Sequence, residues 1–168
     1  MSRFTTRTLA LGALAALLAG CQPPPPAADA PDDNAATLDL TVQSFLTVWN
    51  SNDVAMIDSI VTPDFQRVAP NGNATGPGEL KAFIQGIHTL YPDFHITSDR
   101  VLFEGDIAML QWTVTGTNTG EGPTPPTGNA VTVSGVTVFT FRDGQIATET
   151  VFFDSAVLEA QLAGKPAM

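Results

Sequence analysis

The chain has one cysteine, two histidines and one tyrosine in 168 residues, and only seven basic side chains against seventeen acidic ones. A lone cysteine excludes an internal disulfide framework and any cysteine-rich zinc site. The histidines, His88 and His95, do not have the i, i+4 spacing of a helical zinc pair, so no metal site is expected. A net charge of −10 argues against a surface built for nucleic-acid phosphates. There is no Gly-x-Ser-x-Gly elbow, and no glycine-rich phosphate loop precedes a helix; Gly72 and Gly76 read as turn residues. A serine hydrolase and a dinucleotide site are therefore poor fits. What is present is 43% hydrophobic residues, enough for a core, on a length that suits one domain plus a short appendage.

The appendage is N-terminal. Arg3 and Arg7 precede an Ala/Leu run from Leu9 to Leu18. That run is shorter than the ~20 residues of a spanning helix and has signal-peptide proportions. It ends in Leu18-Ala19-Gly20-Cys21, which resembles the lipobox of bacterial lipoproteins. The resemblance implies cleavage before Cys21, lipidation of its thiol and, with Gln22 following, an outer-membrane destination in a two-membrane envelope. Removing residues 1–20 takes away two arginines and no acids, moving the formal charge from −10 to −12. Anionic headgroups repel such a surface, so membrane attachment is expected to come from lipid. Residues 21–36, with Pro23 to Pro26 and Pro31, read as an extended tether.

Residues 37–168 read as one domain. Leu38, Val42, Phe45, Leu46 and Trp49 recur at helical spacing over 37–51. Asn52 and Asp53 suit the cap of a second short helix that Pro63 ends. Gly76-Pro77 opens a third helix with Leu80, Phe83, Ile84, Ile87 and Leu90 on one stripe. Thereafter the period is two. Strands are expected over 94–103, broken near Ser98-Asp99, then 108–114, 131–141 and 146–153, with a tight turn at Asp143-Gly144. A short helix over 156–162 closes the chain. Three early helices on one face of a curved antiparallel sheet make an α+β fold with room for a cavity between layers.

Several signatures occur in one order: Trp49-Asn50-Ser51-Asn52-Asp53, Pro63-Asp64-Phe65, Tyr91-Pro92-Asp93-Phe94, Gln111-Trp112-Thr113, Gly116-Thr117-Asn118-Thr119-Gly120, and Phe139 to Ile146 followed by Glu149 and Asp154. Together they resemble the SnoaL-like polyketide cyclase (ester cyclase) family of the nuclear-transport-factor-two-like superfamily, over about residues 38–164. The resemblance implies a cone-shaped α+β barrel with a deep apolar pocket. It also implies ring closure by intramolecular aldol condensation without metal or organic cofactor. In those cyclases an aspartate near the end of the last strand is the acid/base residue, and Asp154 matches it by position. The pattern departs at Asn118, Thr140 and Val151, where the family often has histidine, histidine and tryptophan.

Aldol closure needs a base for a carbon-bound proton, and a carboxylate serves when an apolar pocket raises its pKa. Asp154 follows Val151-Phe152-Phe153 and is the candidate catalytic residue; the same position also suits a helix cap. Glu149, five residues earlier, is expected to face the other way and to be paired or solvated. The expected pocket wall comprises Trp49, His95, Gln111, Trp112, Thr140 and Phe152. Loop 116–128 reads either as a lid or as a plain surface loop. Three functions stay open: a cofactor-free cyclase or isomerase acting on a small apolar or carbonyl-bearing molecule, a non-catalytic ligand-binding envelope lipoprotein, and an interaction module that dimerises through its sheet. Export separates the chain from cytosolic polyketide intermediates, which turns the first reading away from literal polyketide cyclisation.

Overall fold

Helix α1 (Asp33–Ser51) buries Leu38, Val42, Phe45 and Trp49, the i, i+4, i+7 and i+11 positions of one face. In the computed structural model, which describes residues 33–123 and 125–165, this helix starts four residues before the expected position. Asn34 Nδ2 donates to the carbonyl of Gly105 and to Asp106 Oδ1, so Asn34, expected in the tether, is fastened to the turn at 105–106. The expected signal segment, Cys21 and most of the expected tether lie outside the described residues. Asn52 ends α1 with φ of 57°, a left-handed conformation that asparagine tolerates. Asp53 then caps a 3-10 turn, Val54–Met56, by accepting from Ala55 N.

Helix α2 (Ile57–Ile60) stops before Pro63, not at it. Val61 is already extended, and Pro63 lies inside strand β1 (Val61–Val68). The ladder is irregular between Val61 and Gln66, so the missing proline N–H breaks no regular pairing. After the short strand β2 (Ala74–Thr75) comes α3 (Gly76–Leu90), with Pro77 in its first turn. Glu79 reaches back to accept from Thr75 N at 2.7 Å. Strands β3 (His95–Glu104), β4 (Ile107–Thr117), β5 (Ala130–Arg142) and β6 (Gln145–Phe153) follow, then α4 (Ser155–Leu162).

The sheet order is β2-β1-β6-β5-β4-β3. Sequence patterning anticipates the antiparallel β3 to β6 meander, but not that β1 joins it in parallel beside β6. That pairing is between strands far apart in the chain, and no local turn signal announces it. Register breaks between Ser98 and Arg100, and between Thr140 and Phe141, insert extra residues that bend the strands. The result is the expected α+β architecture with a curved sheet. Phe45 of α1 meets Phe139 of β5 edge-on at 5.6 Å, and Trp49 meets Phe83 of α3 at 6.1 Å, so helices and sheet share one aromatic core.

Candidate functional site

Inward-facing residues of β1 and of β4 to β6 leave a cavity of about 260 Å³ beneath α1 and α3. Its wall is mainly apolar: Phe45, Trp49, Leu110, Trp112, Val133 and Phe153 are among its residues. Strand parity decides membership. In β5 the odd positions Val131, Val133, Thr137 and Phe139 are buried and line the cavity. Trp112 Nε1 donates to Thr137 Oγ1 at 2.9 Å, which pairs two polar groups in the apolar wall.

Two charged side chains belong to this wall. Arg67 follows Phe65 in inward parity on β1, and Glu149 precedes Val151 and Phe153 in inward parity on β6. They are register partners across the parallel ladder. Their side chains are only 4% and 5% exposed, and Nη1 of Arg67 lies 3.6 Å from Oε2 of Glu149. That is ion-pair distance but beyond hydrogen-bond reach. Arg67 Nη2 donates to Asn71 Oδ1 at 3.2 Å, and the guanidinium lies 4.7 Å from the Phe83 ring centre and 5.7 Å from that of Trp49. Nε and Nη1 of Arg67 and Oε2 of Glu149 have no hydrogen-bond partner in the protein. Burial pushes the Glu149 carboxyl above the usual glutamate range, and the Arg67 charge only partly opposes this. Tyr91, at the end of α3, also lines the cavity, and burial raises its phenol.

The expected site residues divide. Trp49 and Trp112 line the cavity. His95, Gln111, Thr140 and Phe152 do not: each sits in the opposite parity, on the outer face of the sheet. His95 and Gln111 are exposed, Phe152 is 57% exposed, and the Thr140 hydroxyl is 2.6 Å from that of Thr148. Asp154 is also exposed and off the cavity wall. Its Oδ1 accepts from Ala156 N at 2.9 Å as the N-cap of α4, because the strand has already ended at Phe153. The carboxyl in the cavity is Glu149, expected instead to be paired or solvated; it is paired, but inside. Its shared parity with Val151 and Phe153 was the available signal. His88 is half-buried and its Nε2–H donates to the Trp49 carbonyl at 2.6 Å, holding α3 to α1.

Loop 118–129 is anchored where it leaves β4. Gly120 N donates to the Leu90 carbonyl, and an added Cβ on Gly120 would fall 1.6 Å from the Thr89 carbonyl oxygen. Asn118 accepts at Oδ1 from Thr127 N, tying the two arms together. None of the described residues of this loop, 118–123 and 125–129, lines the cavity. Among the described residues, no three or more His, Cys, Asp and Glu side chains group as metal ligands.

Comparison with solved structures returns the same architecture. A protein of Jannaschia sp. CCS1 classed as SnoaL-like superposes with a TM-score of 0.68 at 25% identity, covering 78% of this chain and 94% of that one. TsrD from Streptomyces laurentii gives 0.68 at 25% identity, covering 76% and 95%. TerC, crystallised with polyporic acid, gives 0.63 at 18% identity, covering 76% and 98%, a likeness of fold alone. Among curated proteins none matches the chain. The sequence profile of the SnoaL-like polyketide cyclases matches residues 39–162, which spans the helices, the bent sheet and the cavity between them; the chain belongs to that family.

Proposed function

We propose that the cavity binds a small, largely apolar, carbonyl-bearing molecule and carries out cofactor-free acid/base chemistry of cyclase or isomerase type, with Glu149 as the base. The observation that carries this reading is a buried carboxyl on an apolar cavity wall, held above the ordinary glutamate range and facing a buried arginine. A carboxylate of raised pKa is a stronger base and returns its proton more readily near neutral pH than an exposed one. In the proposed step, a Glu149 oxygen takes the proton from a carbon next to a carbonyl. The C–H electron pair becomes the enolate, whose oxygen charge develops beside Arg67. The protonated Glu149 then returns the proton to carbon, or to the alkoxide formed when the enolate attacks a second carbonyl.

Proton exchange tests the first half of this sequence without knowledge of the natural substrate. With 2-indanone in D2O, the full chain should accelerate deuterium incorporation at the α carbons, followed by NMR, and E149Q should return it to the buffer rate. Binding of the ketone with no acceleration in either protein would leave a ligand-binding protein in place of an enzyme.

We further propose that the domain works at the envelope, carried by lipid on Cys21; the basic start, short apolar run and Leu-Ala-Gly-Cys order support this. A homodimer through the outer sheet face is supported by Leu102 and Met109, which are cross-strand neighbours, and by Phe152, all about half exposed or more.

A further inference from the structure

The pair of charges in the cavity specifies more about the ligand than its apolarity. Arg67 offers only donors, and two of its nitrogens, Nε and Nη1, have no acceptor. Glu149 offers an acceptor, Oε2, with no donor. Both side chains are about nineteen-twentieths buried, and both line the same cavity. Their separation of 3.6 Å keeps them from satisfying each other. Buried polar groups of this kind carry a desolvation cost that a complementary ligand removes. Asn71 and the faces of Phe83 and Trp49 hold the guanidinium from other sides, so its position is set before any ligand arrives.

We infer that the cavity is built for a neutral, compact molecule of one or two rings that carries a hydroxyl beside a carbonyl, the carbonyl accepting from Arg67 and the hydroxyl donating to Glu149. Neutrality follows from the walls. As an ion pair at 3.6 Å, Arg67 and Glu149 already offset each other, and a charged ligand would leave one charge uncompensated in a mainly apolar site. Size follows from volume. An apolar cavity of roughly 150 Å³ holds benzene, so about 260 Å³ suits a one- or two-ring skeleton. The hydroxyl and carbonyl oxygens of adjacent carbons lie close enough together to meet both groups. This inference rests on the cavity being a small-molecule site, the reading given above, and names the class of molecule it takes.

The chain contains two tryptophans, and both line the cavity, so their indole N–H signals report occupancy directly. The full chain with 15N-labelled tryptophan is titrated with indane, 1-indanone, 2-hydroxy-1-indanone and 1-indanecarboxylate. Wild type should bind the hydroxyketone most tightly, about tenfold or more above indane, with the ketone between and the carboxylate weakest. E149Q should bring the hydroxyketone toward the ketone. Because single changes leave a buried charge unpaired, R67M/E149Q serves as the second variant. It should bind indane at least as well as wild type and lose the ordering. Equal affinities in wild type, tighter binding of the carboxylate, or an ordering retained in R67M/E149Q would each overturn the proposal. If no probe moves either indole signal, the cavity itself is not the binding site and the preceding reading fails with it.

Discussion

Arg67 and Glu149 sit opposite each other on the parallel β1–β6 ladder, with Nη1 and Oε2 3.6 Å apart inside a mainly apolar core. The parallel pairing that joins β1 to the sheet therefore delivers the polar groups of the cavity. An isolated carboxylate there would be too costly to keep charged, and an isolated guanidinium cannot shed its proton. The pair also makes the fold and the site depend on one another.

Removing one partner should be far worse than removing both. R67A leaves Glu149 buried without a counter-charge and is expected to cost about 3–5 kcal/mol, whereas R67M/E149L should be near neutral or stabilising. Urea denaturation of the three proteins gives the comparison. Equal losses in both variants would mean that the ion pair does not set the energetics of this region.

Glu149 also predicts a pH dependence of stability. Its folded pKa is raised, so the folded state holds the proton over a range where the unfolded chain has released it. Stability should be highest below the ordinary glutamate value of 4.5 and fall as pH rises through the folded value, then level off. Asp93 has the opposite sign: Thr117 donates to it from its hydroxyl and its N–H, its pKa is lowered, and its contribution is lost only as pH falls below 3.8. Melting temperatures of wild type and E149Q across pH 4 to 8 should therefore diverge, with the decline missing in E149Q.

Asp154 should behave as a cap. D154A is expected to lose about 1 kcal/mol of stability through the first turn of α4 and to leave α-proton exchange in the ketone unchanged. Exchange that falls to the E149Q level in a folded D154A would return the acid/base role to Asp154.

Gly135 tests the packing of the cavity floor. A Cβ there would lie 2.4 Å from a ring carbon of Trp112 and 2.5 Å from the Phe152 carbonyl oxygen. G135A must displace the indole, the β6 backbone or both, at a cost of roughly 1–3 kcal/mol. It should also perturb the Trp112 indole signal. A spectrum and stability like those of wild type would show that Trp112 moves freely.

The envelope reading has its own test. Cys21→Ser should shift the protein from the membrane fraction to the soluble one on cell fractionation, with its melting temperature unchanged. Unaltered membrane association would remove lipidation as the means of attachment.

Much of the fold follows from local pattern. The α1 stripe, the Pro77 start of α3, the break near Ser98-Asp99 and the Asp143-Gly144 hairpin all depend on residues within a few positions of one another. The apolar stripe of α1 places Trp49, and the apolar side of β4 places Trp112, at the cavity. His95, Gln111, Thr140 and Phe152, expected on the cavity wall, lie on the opposite face because side chains alternate along a strand. Asp154, expected in the site from its place at the end of the last strand, caps the next helix.

By itself, then, the amino-acid sequence determined the α+β class, the family, the aromatic core and the order of elements, because periodicity, caps and turns are properties of neighbouring residues. Only the tertiary structure decided that β1 lies parallel to β6, and so that Arg67 faces Glu149 across residues 82 positions apart. A charge on a strand reads as solvated until its partner is known. What turns Glu149 from a surface acid into the buried carboxyl of a cavity is desolvation by groups brought together from distant parts of the chain.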